Sequence, residues 1–200
     1  MRAWLPMPHD SSWSWFRLFA TSVSRSCGPS MKSEDWGLER SVFNDALPML
    51  GTGGSVGVMR DLMGQDHNNI LTNTWLTSLS FIPRPDLDTI SEAAPLLEVE
   101  RVHADAFLGV GSLVQTYCRD HPLCHEAPPV LRVMDTLHRF IGDSCQRETS
   151  QDKIQVLMAL KGIGNAGAAV TEDIPGSLAK CFFNEENENE IRLGGITAFR

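Results

Sequence analysis

Between Asp105 and Pro122 the apolar residues Phe107, Val110, Val114 and Tyr117 step by three, four and three positions, which places them on one face of an amphipathic helix. Leu108 and Leu113 widen the apolar surface beyond a single stripe. A helix wetted on so little of its circumference touches neighbours on two sides, as a helix inside a stack does. The run then stops. Cys118 and Cys124 bracket a turn containing Pro122, and Pro128 and Pro129 precede the next periodic segment.

The same punctuation recurs from Trp36 onward, with no strand pattern intervening. Leu38, Val42, Ala46 and Met49 share a face closed by Pro48 and Gly51, and Val56, Met59 and Met63 share the next, closed at Gly64. Leu71, Trp75, Leu79 and Ile82 form a third face ended by Pro83 and Pro85; Asp86 to Leu97 reads as a fourth helix weakened by Pro95. After the central helix, Val130, Met134, Leu137 and Ile141 step by four, three and four. Ile154, Leu157 and Met158 mark a further helix that Gly162 and Gly164 are expected to end, and Pro175 suits a first turn before Leu178 and Phe182. Asn187 and Glu190 have the spacing of an N-cap and its N3 partner, opening a last helix through Ile191 and Ala198. Many helices behind short connections predict an all-α chain, specifically an α-solenoid, a superhelix of paired antiparallel helices. A compact all-α bundle buries the same stripes and is the alternative.

Residues 1–35 differ in composition. They are rich in Ser, carry three Pro and scattered Trp4, Trp13 and Trp15, and lack a sustained helical period, so they are expected to be poorly ordered. The run from Trp13 to Ala20 is interrupted by Arg17, unlike the uninterrupted apolar core of a secretory signal. Of the net charge of -8, residues 1–40 contribute five basic against four acidic residues, leaving 12 basic and 21 acidic in the remainder. That balance argues against a nucleic-acid partner, and no apolar run is long enough to span a bilayer.

Four features could carry chemistry. Gly51 to Gly57, GTGGSVG, is glycine-rich before a helix, but no strand leads into it and no Lys-Ser or Lys-Thr pair follows, so a flexible helix-to-helix turn is favoured over a phosphate loop. Cys118, His121, Cys124 and His125 are four residues of metal-ligand type within eight positions. Such compression fits tetrahedral zinc poorly. A disulfide between Cys118 and Cys124 across the turn is favoured, with free thiols and a metal site as the alternatives. His67, His103 and His138 lie beside acidic residues and could act as a base, yet without a recognisable nucleophile they read as histidines on solvated helix faces. Asn184 to Glu190, NEENENE, lacks the spacing and glycine of a calcium loop and reads as a solvated acidic loop. These features predict no enzyme, no metal and no cofactor.

Five segments carry a resemblance: ALPMLGTGGSVGVMRDLM (Ala46 to Met63), WLTSLSFIPRPDLDTI (Trp75 to Ile90), AFLGVGSLVQTYCRDHPLC (Ala106 to Cys124), LMALKGIGNAG (Leu157 to Gly167) and EIRLGGITAFR (Glu190 to Arg200). In this order and at this spacing the chain resembles the large lipid transfer protein family from Trp36 to Arg200, nearest to insect-type apolipophorin, with vitellogenin and apolipoprotein B further off. The resemblance implies a domain over residues 36–200 that is part of the vitellogenin-type helical superhelix, a double layer of helices wrapping lipid-holding β-sheets. It also implies lipid transport, a secreted protein, and as partners lipids taken up by the intact module and the β-sheet domains of a full-length chain. A helical-repeat scaffold that binds another protein without a lipid load is the alternative.

The departures from the family pattern are specific. The barrel and sheet regions that flank the helices in relatives are not recognisable here, so the chain resembles a fragment. Leu50 and Ser55 stand where relatives often carry two cysteines, and Gly194 and Gly195 stand where relatives favour alanine. At about 1 kcal/mol each against alanine, the two glycines should fray the final helix. Relatives resemble the chain in a long-range bridge at the positions of Cys145 and Cys181, which a paired-helix stack would bring together at the same ends of parallel neighbours. The resemblance therefore implies disulfides at Cys118 with Cys124 and at Cys145 with Cys181, and leaves Cys27 free.

Overall fold

The computed structural model describes residues 51–64, 72–99, 103–145, 153–169, 174–185 and 187–198, all within the compact unit Val42–Arg200. The expectations for residues 1–35, for the helix over Leu38 to Met49, and for Cys27, Leu50, His67, Leu71 and the side chain of Phe182 lie outside the described residues. Among the described residues eight α-helices follow in order: α1 Gly53–Met63, α2 Thr72–Leu79, α3 Leu87–Ala93, α4 Ala104–Asp120, α5 Pro128–Ser144, α6 Lys153–Asn165, α7 Ile174–Phe183 and α8 Asn189–Thr197. Among the described residues there is no strand. The protein is all-α there, with short 3-10 turns at Ala94–Leu97, Cys124–Glu126 and Gly167–Ala169.

Local chemistry accounts for most of the boundaries. Gly51 has φ 47°, a left-handed turn open to glycine. Thr52 then caps α1: the Ser55 amide donates to Thr52 Oγ1 at 3.4 Å, and the Thr52 amide donates to Ser55 Oγ at 3.2 Å. This reciprocal pair satisfies two donors at the helix start. From Gly53 on, the glycine-rich stretch is therefore helix rather than turn. Asp86 caps α3 by accepting from the Thr89 amide at 2.7 Å, and Pro95 tightens the end of that helix into the 3-10 turn Ala94–Leu97. Pro128 occupies the first turn of α5, where its missing N–H costs nothing.

Packing sorts the helices into two layers. Contacts run α1 to α3, α3 to α5 and α5 to α7 in one layer, and α2 to α4, α4 to α6 and α6 to α8 in the other. Between the layers α5 meets α6 and α7 meets α8. Alternate helices advance in parallel register. A Cβ at Gly53 would meet Asp88 and one at Gly57 would meet Glu92, four residues further along both α1 and α3. In the other layer Leu157 and Leu160 face Gly194, while Gly164 meets Ala198. The apolar faces of the two layers make the core: Leu76, Ile90, Phe107, Val110, Val114, Val130, Leu137, Ile141 and Ile163 are all fully buried. Phe107 of α4 and Phe140 of α5 join the layers, ring centroids 4.5 Å apart and tilted by 41°.

Helix α6 departs from the sequence reading in two ways. Its buried side is Val156, Ala159, Leu160 and Ile163, whereas Ile154 is 58% exposed and Leu157 and Met158 are half-buried. The helix is apolar on more than one face, so periodicity alone does not say which face turns inward. Gly162 and Gly164 do not end it either; α6 continues to Asn165. A Cβ at Gly111 would lie 2.7 Å from Gly162 Cα, and one at Gly162 would lie 3.0 Å from the Phe107 carbonyl carbon and closer still to its oxygen. The glycines let α4 and α6 touch backbone to backbone, and beside them the Asn165 amide donates to Ser112 Oγ at 2.9 Å. Helix α8 likewise runs on through Gly194 and Gly195 to Thr197, and a Cβ at Gly194 would stand 3.1 Å from Leu160 Cδ1.

Two ion pairs pin the first of these layers. Arg60 of α1 reaches the Glu92 carboxylate of α3 at 3.0 Å and its carbonyl at 3.1 Å. Arg132 of α5 grips Glu98, just past the 3-10 turn, in a two-pronged contact at 2.6 and 2.5 Å. The hydrogen bonds from Arg132 hold the Glu98 carboxyl below the ordinary carboxylate range, against a smaller opposing effect of burial, and Glu98 in turn raises the Arg132 guanidinium.

The seam predicts opposite signs for one substitution at two sites. Gly162→Ala should destabilise by about 1–3 kcal/mol through the clash with Phe107, overriding alanine's better helix propensity. Gly176→Ala in α7, where nothing lies within 4 Å, should be stabilising by about 0.5–1 kcal/mol. Urea midpoints of the two variants check this directly. The Glu98 pair predicts a pH dependence: a carboxyl held low in the folded state contributes stability above its unfolded pKa and loses it as pH falls through the lowered value. The Tm advantage of wild type over Glu98→Gln should therefore be present at neutral pH and vanish on acidification below the ordinary carboxylate range.

Candidate functional site

The candidate chemistry sits at helix ends. Helix α4 closes at Asp120, and Cys118 in its last turn faces Cys124 in the following 3-10 turn at disulfide distance, Cα atoms 5.2 Å apart. Both are nearly buried. His121, between them, stacks on Tyr117 with ring centroids 4.0 Å apart, and its Nδ1 lies 2.8 Å from the Tyr117 carbonyl, a distance that suits donation from an Nδ1–H. His125 faces Glu126 at 3.8 Å. The sulfurs face each other and the His121 ring is turned back onto its own helix, so the four residues do not converge on a point. Among the described residues no group of three His, Cys, Asp or Glu comes together that could hold a metal ion.

The histidines considered as bases serve local structure where their contacts are described. His103 is the N-cap of α4, its Nδ1 accepting from the Asp105 amide at 3.3 Å. His138 lies half-buried on α5. In the glycine-rich stretch the Thr52 and Ser55 amides are already taken by the Ser55 and Thr52 hydroxyls. Ser55 is buried, and its hydroxyl donates to the Thr52 carbonyl at 2.7 Å.

The second cysteine pair joins the two ends of neighbouring helices. Cys145 ends α5 and Cys181 lies in the last turn of α7, Cα atoms 4.9 Å apart at disulfide distance. The parallel register of alternate helices is what brings two residues 36 positions apart together. Two asparagines of the acidic stretch after α7 bond to this junction. The Asn184 amide donates to the Cys145 carbonyl at 3.3 Å and the Asn187 amide to the Cys181 carbonyl at 2.8 Å. Asn187 is thus a closing group for α7 rather than the N-cap of α8, which is Glu188 without a side-chain cap bond. Lys153, opening α6, holds Glu188 at 2.6 Å and Glu190 at 2.7 Å. Hydrogen bonds from these two carboxylates keep the Lys153 ammonium above its ordinary range. Glu185, Glu188, Asn189 and Glu190 are exposed, in line with a solvated acidic stretch; the contacts with Lys153 and the cysteine carbonyls are set by the helix stack and are not visible in the sequence.

No helix of the described residues is long and apolar enough to cross a membrane. No solved structure matches the chain significantly. Vitellogenin of Penaeus merguiensis is 29% identical over 165 residues, covering 80% of this chain and 6% of its own length. Apolipophorins of Locusta migratoria are 29% identical over 126 residues, 63% of this chain and 4% of theirs. Those of Manduca sexta are 26% identical over 165 residues, 81% of this chain and 5% of theirs. The chain therefore spans a small part of the relatives it matches. A family model described as the vitellogenin TPR domain matches residues 19–200, nearly the whole chain and all of the helices above. The chain belongs to the vitellogenin TPR domain family.

Proposed function

We propose that this chain is a helical supporting layer of a lipid-transport module of the vitellogenin and apolipophorin kind. In this reading it backs a lipid cavity formed by other domains and takes part in lipoprotein assembly, without catalysis of its own. The family match over residues 19–200 carries the proposal. The two-layer packing agrees with it: the large apolar side chains of α2 to α6 are spent on each other between the layers. The lipid-holding surface then belongs to partner β-sheet domains of a longer protein, and the helices supply a stiff wall behind them. The reading places the helical module in residues 36–200. It also places the protein outside the cell, where cysteine pairs at disulfide distance persist as bonds.

Replacing the matching segment of the locust apolipophorins by this chain tests the proposal. The chimera is expected to be secreted with phospholipid and diacylglycerol, while the 200-residue chain alone carries no stoichiometric lipid. A monomer of the isolated chain that retains lipid would overturn the supporting role. A chimera secreted without lipid would favour a protein-binding scaffold. The two cysteine pairs differ in what they contribute as bonds. For a sequence separation of 36, Cys145→Ala with Cys181→Ala should lower the unfolding free energy by about 4 kcal/mol in the chain-entropy treatment. For a separation of 6, Cys118→Ala with Cys124→Ala should cost about 2 kcal/mol. Denaturant titration of the two double variants under non-reducing conditions orders them.

A further inference from the structure

The stretch after α7 does more than connect two helices. Asn184 and Asn187, three residues apart, bond to the backbone carbonyls of Cys145 and Cys181, so one short segment is tied to both helix ends that carry the pair. Cys145 and Cys181 are 1% and 0% exposed. The same segment is anchored to a third helix through Lys153, which holds Glu188 and Glu190. All three of those side chains remain in contact with solvent, at 34%, 53% and 67% exposure. The amide bonds to the cysteine carbonyls are insensitive to ionic strength, whereas solvent-facing ion pairs are screened by it.

We propose that Asn184, Asn187, Glu188 and Glu190, anchored by Lys153, form a salt-releasable cover over the Cys145–Cys181 bond that sets how fast external dithiols reduce it. Reduction requires a thiolate to reach one of the two sulfurs. Attack forms a mixed disulfide, breaks the Cys145–Cys181 bond and releases the other cysteine as a thiolate. The second thiol of the dithiol then displaces the first cysteine, so the dithiol supplies two electrons and leaves as a cyclic disulfide, and the two cysteine thiolates take up protons. With both cysteines buried, the first step waits for the cover to open. Local opening of this kind is governed by the few contacts that close it. The Cys118–Cys124 bond closes a turn within its own six-residue span and serves as a control in the same molecule.

The experiment follows reduction of the full chain by dithiothreitol, with timed alkylation and peptide mapping of each bond at low and high sodium chloride. Salt should accelerate loss of Cys145–Cys181 several-fold relative to Cys118–Cys124. Lys153→Met should be fast already at low salt and lose the salt response, while Lys153→Arg, which keeps the charge, should behave as wild type. Asn184→Ala with Asn187→Ala should speed reduction of this bond about fivefold, as expected for loss of neutral hydrogen bonds, and retain the salt response. Salt or variant effects equal at both bonds, or absent at Cys145–Cys181, would overturn the proposal, and the salt comparison on wild type decides it even where a variant fails to fold. Alkylation of Cys145 before any reductant is added would show that the bond itself is not formed, a separate failure of the reading on which the cover rests.

Discussion

Helices α4 and α6 meet backbone to backbone at Gly111 and Gly162, and the even-numbered layer depends on that contact. It is the most extensive helix pair in the described part of the molecule, and it lies at the middle of the layer, with α2 on one flank and α8 on the other. A residue with a Cβ at Gly162 would strike the Phe107 carbonyl, forcing the helices apart and opening the interlayer contacts that Phe107 makes with Phe140. Glycine in mid-helix costs about 1 kcal/mol in propensity. Here that cost is offset by close packing along both backbones and by the Ser112 and Asn165 hydrogen bond next to it.

The odd-numbered layer is held by different means. Its helices are joined by charge-assisted contacts, Arg60 with Glu92 and Arg132 with Glu98, and at its far end by the Cys145 and Cys181 pair. The two ion pairs lie near the surface, whereas the cysteine pair is buried. Solvent weakens such ion pairs, so the layer draws its stability from the apolar faces turned toward α4 and α6 and uses the pairs to hold register. A two-layer stack has this property throughout: each helix answers to its immediate neighbours, and stability is close to a sum over adjacent interfaces. The cysteine pair at disulfide distance between α5 and α7 lies at one such interface of the stack.

That organisation bears on function. Helices whose large side chains are buried against each other make a surface stiff enough to brace a neighbouring domain. His103 caps a helix, His121 stacks on Tyr117, and the cysteines at the ends of α4, α5 and α7 face one another. His103, His121 and the four paired cysteines lie at helix ends, where unsatisfied backbone groups and chain reversals need them.

What the sequence determined by itself is the set of helices and much of their punctuation. Apolar steps of three and four residues, Pro at first turns and Asp86 as a cap are local, since each segment's periodicity and backbone chemistry decide them without knowledge of a partner. The family resemblance was legible for a similar reason, in the order of such segments along the chain. Only the tertiary structure decided which face of α6 turns inward, because Ile154, Leu157 and Met158 compete with Val156, Leu160 and Ile163 and periodicity cannot rank two apolar faces. It alone decided that Gly162 and Gly164 lie within a helix, since a glycine that ends a helix and one that admits a neighbouring backbone look alike in a single chain. The role of Asn187 escaped for the same physical reason. The carbonyl it satisfies, Cys181, lies only six residues back in α7, but an Asn that closes the previous helix and one that caps the next look alike in sequence, and only the fold of the connection chooses between them.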